Sequence, residues 1–247
     1  MLGLDRLTAP WGTIALLLLL AAAALVVYAL ARGHYDSDRL GRMAKRHQLP
    51  QTVLLIGLAA AIWLGGARDT ALSTAAVLAT LGVALGFAGD IFMAGVFGEP
   101  DVIKGMLAFG LGHIAYLLAL REYATILGLT NAAPLLVGVV LLWLVGLLLW
   151  WGATRGSTAP RIMIVLSLVY GLLLATMAGV AVGLALQALP LWSLAIGGLL
   201  FVLSDGLIAM RLFAGLRRAY LGDVIWGTYI TAQALIVTGA AVALTLL

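Results

Sequence analysis

Long apolar runs separated by short polar breaks dominate the chain, and its six prolines fall at the breaks. Pro10, Pro50, Pro100, Pro134, Pro160 and Pro190 each precede or open an apolar stretch. Proline is tolerated in the first turn of a helix, where the N–H it lacks would have no intrahelical partner. The two remaining starts carry Asp69-Thr70 and Asp223, residue types that cap helix N-termini. Punctuation and hydropathy together predict eight helices, at about 11–31, 51–66, 71–97, 102–121, 133–151, 161–187, 190–214 and 222–246. Most reach the roughly 20 residues needed to cross a bilayer core. The expected fold is all-α: a polytopic membrane protein forming one integral domain over 1–247.

Composition agrees with that pattern. Of 247 residues 64% are hydrophobic and 10% charged, against roughly 25% charged in ordinary soluble domains. Cysteine is absent, which removes thiol nucleophiles, thiolate metal sites and disulfides. The net charge of +4 does not point to nucleic acid, because the cations are distributed by topology. Odd-numbered loops hold Arg32, Arg39, Arg42, Lys45, Arg46, Lys104, Arg155, Arg161, Arg211, Arg217 and Arg218, whereas Arg6, Arg68 and Arg121 fall on the other side. Positive charge accumulates on the cytoplasmic side, so both termini are expected outside. The same asymmetry identifies the first apolar stretch as an uncleaved helix rather than a signal peptide. The 32–50 connection, with His34, Asp36, Asp38 and His47, reads as a solvated cytoplasmic loop beside anionic headgroups.

Two aspartates break the apolar pattern from within: Asp90 on helix 3 and Asp205 on helix 7. A carboxyl group in hydrocarbon costs several kcal/mol unless something solvates it, so an intramembrane aspartate is a functional candidate by default. Laying helices 1–4 on helices 5–8 matches the two aspartates, and each following helix carries a polar pair, His113/Tyr116 and Tyr229/Gln233. A parallel 4+4 internal repeat is therefore expected. At a rise of about 1.5 Å per residue, both aspartates fall roughly 10–14 Å from the cytoplasmic boundary, with the other four side chains in the same layer or slightly deeper. Taken singly, His113, Tyr116, Tyr229 and Gln233 could simply bridge helices, and Ser204 is expected to bond a carbonyl of its own helix. Gly82, Gly86, Gly89, Gly110 and Gly112 would permit close helix approach or leave room for an acyl chain. Trp143, Trp150 and Trp151 read as interfacial anchors or lipid-facing bulk.

Several chemistries lack their residues. There is no Gly-x-Ser-x-Gly elbow, no His-Glu-x-x-His helix and no phosphate-binding glycine loop after a strand. A metal held by Asp90, Asp205 and His113 is chemically conceivable, but no metal or other cofactor is expected.

Gly89-Asp90, His113-x-x-Tyr116, Ser204-Asp205-Gly-Leu-Ile-Ala209 with Phe213, and Tyr229-x-x-Ala-Gln233-x-Leu-Ile236 resemble the YhhN family of eight-helix membrane proteins, whose animal members are lysoplasmalogenases. The resemblance covers about 82–120 and 197–236, and departs from the family pattern at Ala88 and Met93. It implies hydrolysis of the vinyl ether of a 1-alkenyl lysophospholipid to a fatty aldehyde and glycerophosphoethanolamine or glycerophosphocholine. A vinyl ether resists nucleophiles but yields to acid, and two carboxyls in different protonation states serve glycosidases for a similar cation. Asp90 and Asp205 are then the expected catalytic pair, with Asp205 favoured as the acid. His113, Tyr116, Ser204, Tyr229 and Gln233 would support them, and Lys104 and Arg211 would hold the lipid phosphate. The implied setting is a bacterial inner membrane, with the site open toward the cytoplasm and membrane lipids as neighbours. A proton-coupled carrier using the same carboxyls is the alternative. A lysolipid sensor that binds without turnover is a third.

Overall fold

The computed structural model describes residues 2–33, 41 and 45–247. His34, Asp36, Asp38, Arg39 and Arg42 of the expected polar loop lie outside these described residues. The described chain is helical throughout, with α1 Trp11–Arg32, α2 Lys45–Ile62, α3 Ser73–Ala94, α4 Val102–Ile126, α5 Ala132–Thr154, α6 Arg161–Ala185, α7 Trp192–Phe213, α8 Leu221–Val237 and the short α9 Gly239–Leu244. Eight spans are long and apolar enough to cross a membrane, with α8 and α9 together making the last. The protein is an integral multi-pass membrane protein.

Burial ranks the helices. In the last span 67% of the apolar window is buried inside the protein, against 11% in α5, so α8 is the central post and α5 the rim. α8 packs mainly on α7 and also touches α2, α3 and α1. α5 rests on α6 and α7 and turns Leu136, Leu144 and Leu148 outward. Apolar residues on a lipid-facing helix need no partner within the protein.

The helix limits differ from the sequence expectation where polar chemistry intervenes. α2 begins at Lys45 rather than about 51, so Pro50 lies inside the helix, and the polar connection ends earlier than 32–50. Proline cannot donate to the carbonyl four residues back and disturbs the turn before it. The adjacent Gln51 side chain donates Nε2–H to the carbonyl of His47 at 2.8 Å. α2 then widens into a π-helical turn at Trp63–Ala67.

α3 stops at Ala94 although the apolar run continues to Phe97. Gly95 takes a left-handed φ of 67° there, while the Val96 N–H bonds the carbonyl of Ile91 at 3.2 Å. This is the geometry of a glycine-capped helix end. Neither expected aspartate cap holds. Thr70 Oγ1 accepts from the Leu72 N–H at 3.2 Å in the turn before α3, and Asp223 sits within the first turn of α8, whose N-cap is Tyr220.

Candidate functional site

Asp90 is the end point of a hydrogen-bonded row. Its Oδ2 accepts from Thr52 Oγ1 on α2 at 2.8 Å and from the Tyr229 hydroxyl on α8 at 3.0 Å. Tyr229 accepts from Gln233 Nε2 at 3.1 Å, and Gln233 Oε1 accepts from the Tyr116 hydroxyl of α4. Four helices are thereby tied through side chains that are nearly or fully inaccessible. Glycines on α3 make the room. A Cβ at Gly86 would lie 2.5 Å from Gln233 Nε2, and one at Gly82 would run into the ring of Tyr116.

Asp205 has a separate and shorter support. Its Oδ2 accepts from the Tyr170 hydroxyl of α6, and the Tyr170 oxygen meets His113 Nε2 of α4 at 3.1 Å. Because Tyr170 donates its proton to Asp205, His113 must supply the N–H of that contact from Nε2. Nδ1 of His113 has no hydrogen-bond partner among the described residues. The ring of Phe201 stands between the two networks, its centroid 4.6 Å from His113 and 5.4 Å from Tyr229, both edge-on. His113 and Tyr116 share a face of α4 yet serve different carboxyls.

The two aspartates open onto one chamber. A cavity of about 580 Å³ between α2, α3, α7 and α8 is lined by both carboxyls together with Gln48, Phe109, Trp226 and Tyr229. Neither Oδ1 makes a hydrogen bond among the described residues. A second cavity of about 790 Å³ between α4, α5, α6 and α7 is almost wholly apolar. The two cavities share Asp205, Met93, Phe109 and Ile208. Asp205 stands at the junction, and Asp90 lines the polar chamber only.

The remaining expected residues fall elsewhere. Ser204 bonds the carbonyl of Ile225 on α8 at 3.0 Å, not a carbonyl of its own helix, because the close α7–α8 crossing brings that acceptor nearer. It nonetheless lines the polar chamber. Lys104 pairs with Asp101 at 2.9 Å and lines neither cavity. Its backbone N–H also caps onto Asp101, and these bonds hold that carboxyl below its usual range. Arg211 is exposed and lines neither cavity. His113 reaches Asp205 only through Tyr170, and no three potential metal ligands converge among the described residues.

Four further residues belong to this region: Thr52, Tyr170, Gln51 and Trp226. Gln51 Oε1 accepts from Trp226 Nε1 at 2.8 Å and joins α2 to α8 beside the chamber. Tyr170 had a legible signal. It lies nine residues into α6 and Tyr229 eight into α8, the same depth on helices running the same way. Thr52 had none, since a helix starting near 51 would have left it at the membrane edge.

Both aspartates and most of the side chains in their hydrogen-bonded networks lie on the segments that bear the sequence motifs, with Thr52 and Tyr170 outside them. No curated protein and no solved structure matches the chain. A family model does, over residues 46–240, which includes every helix that lines the two cavities. The chain belongs to the YhhN family.

Proposed function

We propose that the protein is an intramembrane ether hydrolase of the lysoplasmalogenase type. It cleaves the vinyl ether of 1-alkenyl lysophospholipids to a fatty aldehyde and glycerophosphoethanolamine or glycerophosphocholine. The family is associated with hydrolase activity. One observation carries the reading: two carboxyls in one buried chamber each have one oxygen engaged by hydroxyl donors and the other unengaged.

Hydrogen-bond donors to a carboxylate favour its ionised form. Asp90, with two donors, is the carboxylate of the pair, and Asp205, with one, is the acid. Asp205 also stands where the polar and apolar cavities meet, the place a vinyl ether occupies when its chain lies in one and its glycerol in the other. In the first step Asp205 transfers its proton to the β-carbon, and the oxocarbenium ion that forms at the α-carbon is stabilised by Asp90. Water adds to that carbon and yields its proton to Asp90, giving a hemiacetal. Collapse passes the hydroxyl proton to Asp205 and a proton from Asp90 to the departing glycerol oxygen. Aldehyde and alcohol result, with both carboxyls restored.

His113, Tyr170, Tyr116, Tyr229, Gln233 and Thr52 act by positioning the carboxyls. Both termini lie outside in this reading, the 4+4 repeat relates the two aspartates, and the chamber opens toward the cytoplasm. The phosphate role expected of Lys104 and Arg211 is not retained, since neither side chain lines either of the two cavities at the aspartates.

The test is aldehyde release from 1-alkenyl-lysophosphatidylethanolamine by the purified protein in detergent, with the saturated alkyl ether as control. Aldehyde from the vinyl ether alone is the expected result. No release from folded protein would overturn the reading and favour the carrier.

A further inference from the structure

The second cavity is shaped along one helix. It follows α7 from Val202 to Phe213, about 16 Å at a helical rise of 1.5 Å per residue. The few polar groups in its wall are engaged by the protein itself. Trp150 Nε1 and Ser167 Oγ both donate to the carbonyl of Ile164, and Tyr170 donates to Asp205. Apart from Asp205, whose Oδ1 is unengaged, the wall leaves no donor free for a headgroup and suits a hydrocarbon chain.

Three glycines face this space from three helices: Gly146 on α5, Gly171 on α6 and Gly206 on α7. They differ in what a side chain would meet. A Cβ at Gly206 would press on Leu149 Cδ1 at 3.2 Å, and one at Gly146 would make ordinary contact with Ala175 at 3.4 Å. A Cβ at Gly171 meets nothing within 4 Å. Gly171 thus leaves room in the cavity wall next in sequence to Tyr170, which holds Asp205.

We infer that the cavity between α4, α5, α6 and α7 is the binding site for the single hydrocarbon chain of the ether lipid, and that Gly171 sets the chain length it accepts. The inference rests on the ether-hydrolase reading for the identity of the lipid. Occupancy by one unbranched chain is argued from continuity: Asp205, the residue that would face the first carbons of that chain, lies in the wall of this cavity and of the polar chamber alike. Burial of a methylene contributes about 0.8 kcal/mol, so excluding two of them lowers affinity on the order of tenfold.

The test compares the native protein with Gly171→Leu, a change made in a helix interior where leucine is the better helix former. The probes are saturated 1-alkyl-lysophosphatidylethanolamines of eight to eighteen carbons, which cannot be hydrolysed. Binding is read as protection against thermal unfolding in detergent, and turnover of the matching alkenyl series is measured in parallel. The native protein is expected to bind more tightly as the chain lengthens. Gly171→Leu should keep the affinity for short chains and lose on the order of tenfold or more for long ones. Equal loss at every length, or none, overturns the chain site even if aldehyde is released. A length-selective loss without aldehyde upholds the chain site and overturns the hydrolase. Gly227→Leu, on α8 and outside this cavity, is the control for folding and should leave the length profile unchanged.

Discussion

Asp90 on α3 and Asp205 on α7 face one chamber, yet they are held in different ways. Asp90 ends a row of five side chains from four helices and takes two donors on a single oxygen. Asp205 takes one donor, from a tyrosine backed by a histidine, and borders an apolar cavity that Asp90 does not reach. Identical side chains can therefore be set in different surroundings by their neighbours: two hydroxyl donors favour the charged form on Asp90, where Asp205 has one. The difference would not show in either residue's local sequence, because the donors come from α2, α6 and α8.

The strongest way to break the comparison is to remove each carboxyl's acidity. Asp205→Asn and Asp90→Asn should each lower aldehyde release by about 10³-fold or more while the protein elutes normally in detergent, since loss of a proton donor or acceptor costs 10²–10⁴. Near-native turnover in either variant would refute the paired mechanism. Next in size, Tyr170→Phe removes the single donor on Asp205. A hydrogen bond to a charged group contributes about 1.5–3 kcal/mol, so kcat should fall about 10–100-fold, a change seen in single-turnover rates rather than in lipid binding.

Thr52→Val sharpens the contrast, because Asp90 keeps Tyr229. A loss of about three- to tenfold is expected, on the order of 1 kcal/mol for one of two shared donors. If Thr52→Val proved as damaging as Tyr170→Phe, the two carboxyls would not be differently supported. The smallest effect belongs to Lys104→Ala, which removes only an exposed ion pair screened by solvent. Its turnover should stay within about twofold of the native protein at every salt concentration tested.

Much of this was readable in the sequence. Eight spans follow from hydropathy because the bilayer demands length and apolarity wherever a helix lies. The two aspartates and the Tyr229/Gln233 pair stand out because polar groups in hydrocarbon are rare. What could not be read depended on partners distant in the chain. Thr52 is 38 residues from the carboxyl it meets and was obscured by Pro50, which reads as a helix start and lies inside a helix. Tyr170 was marked only by its depth in α6, which matches that of Tyr229 in α8. The glycines of α3 were legible as small but not in purpose: Gly82 and Gly86 house Tyr116 and Gln233, whereas the glycines lining the apolar cavity belong to α5, α6 and α7.

The row from Tyr116 to Asp90 has a direction. Each hydrogen in it points toward the carboxylate, and the third member from the carboxylate end is an amide. A string of hydroxyls or waters can hand a proton along by each link turning over, but an amide must become its imidic form to do so. The row is therefore an insulator for protons and a lens for polarity. It concentrates the pull of several aligned dipoles on one oxygen without offering a path across the bilayer, and whatever proton the chamber takes up must be returned within the chamber.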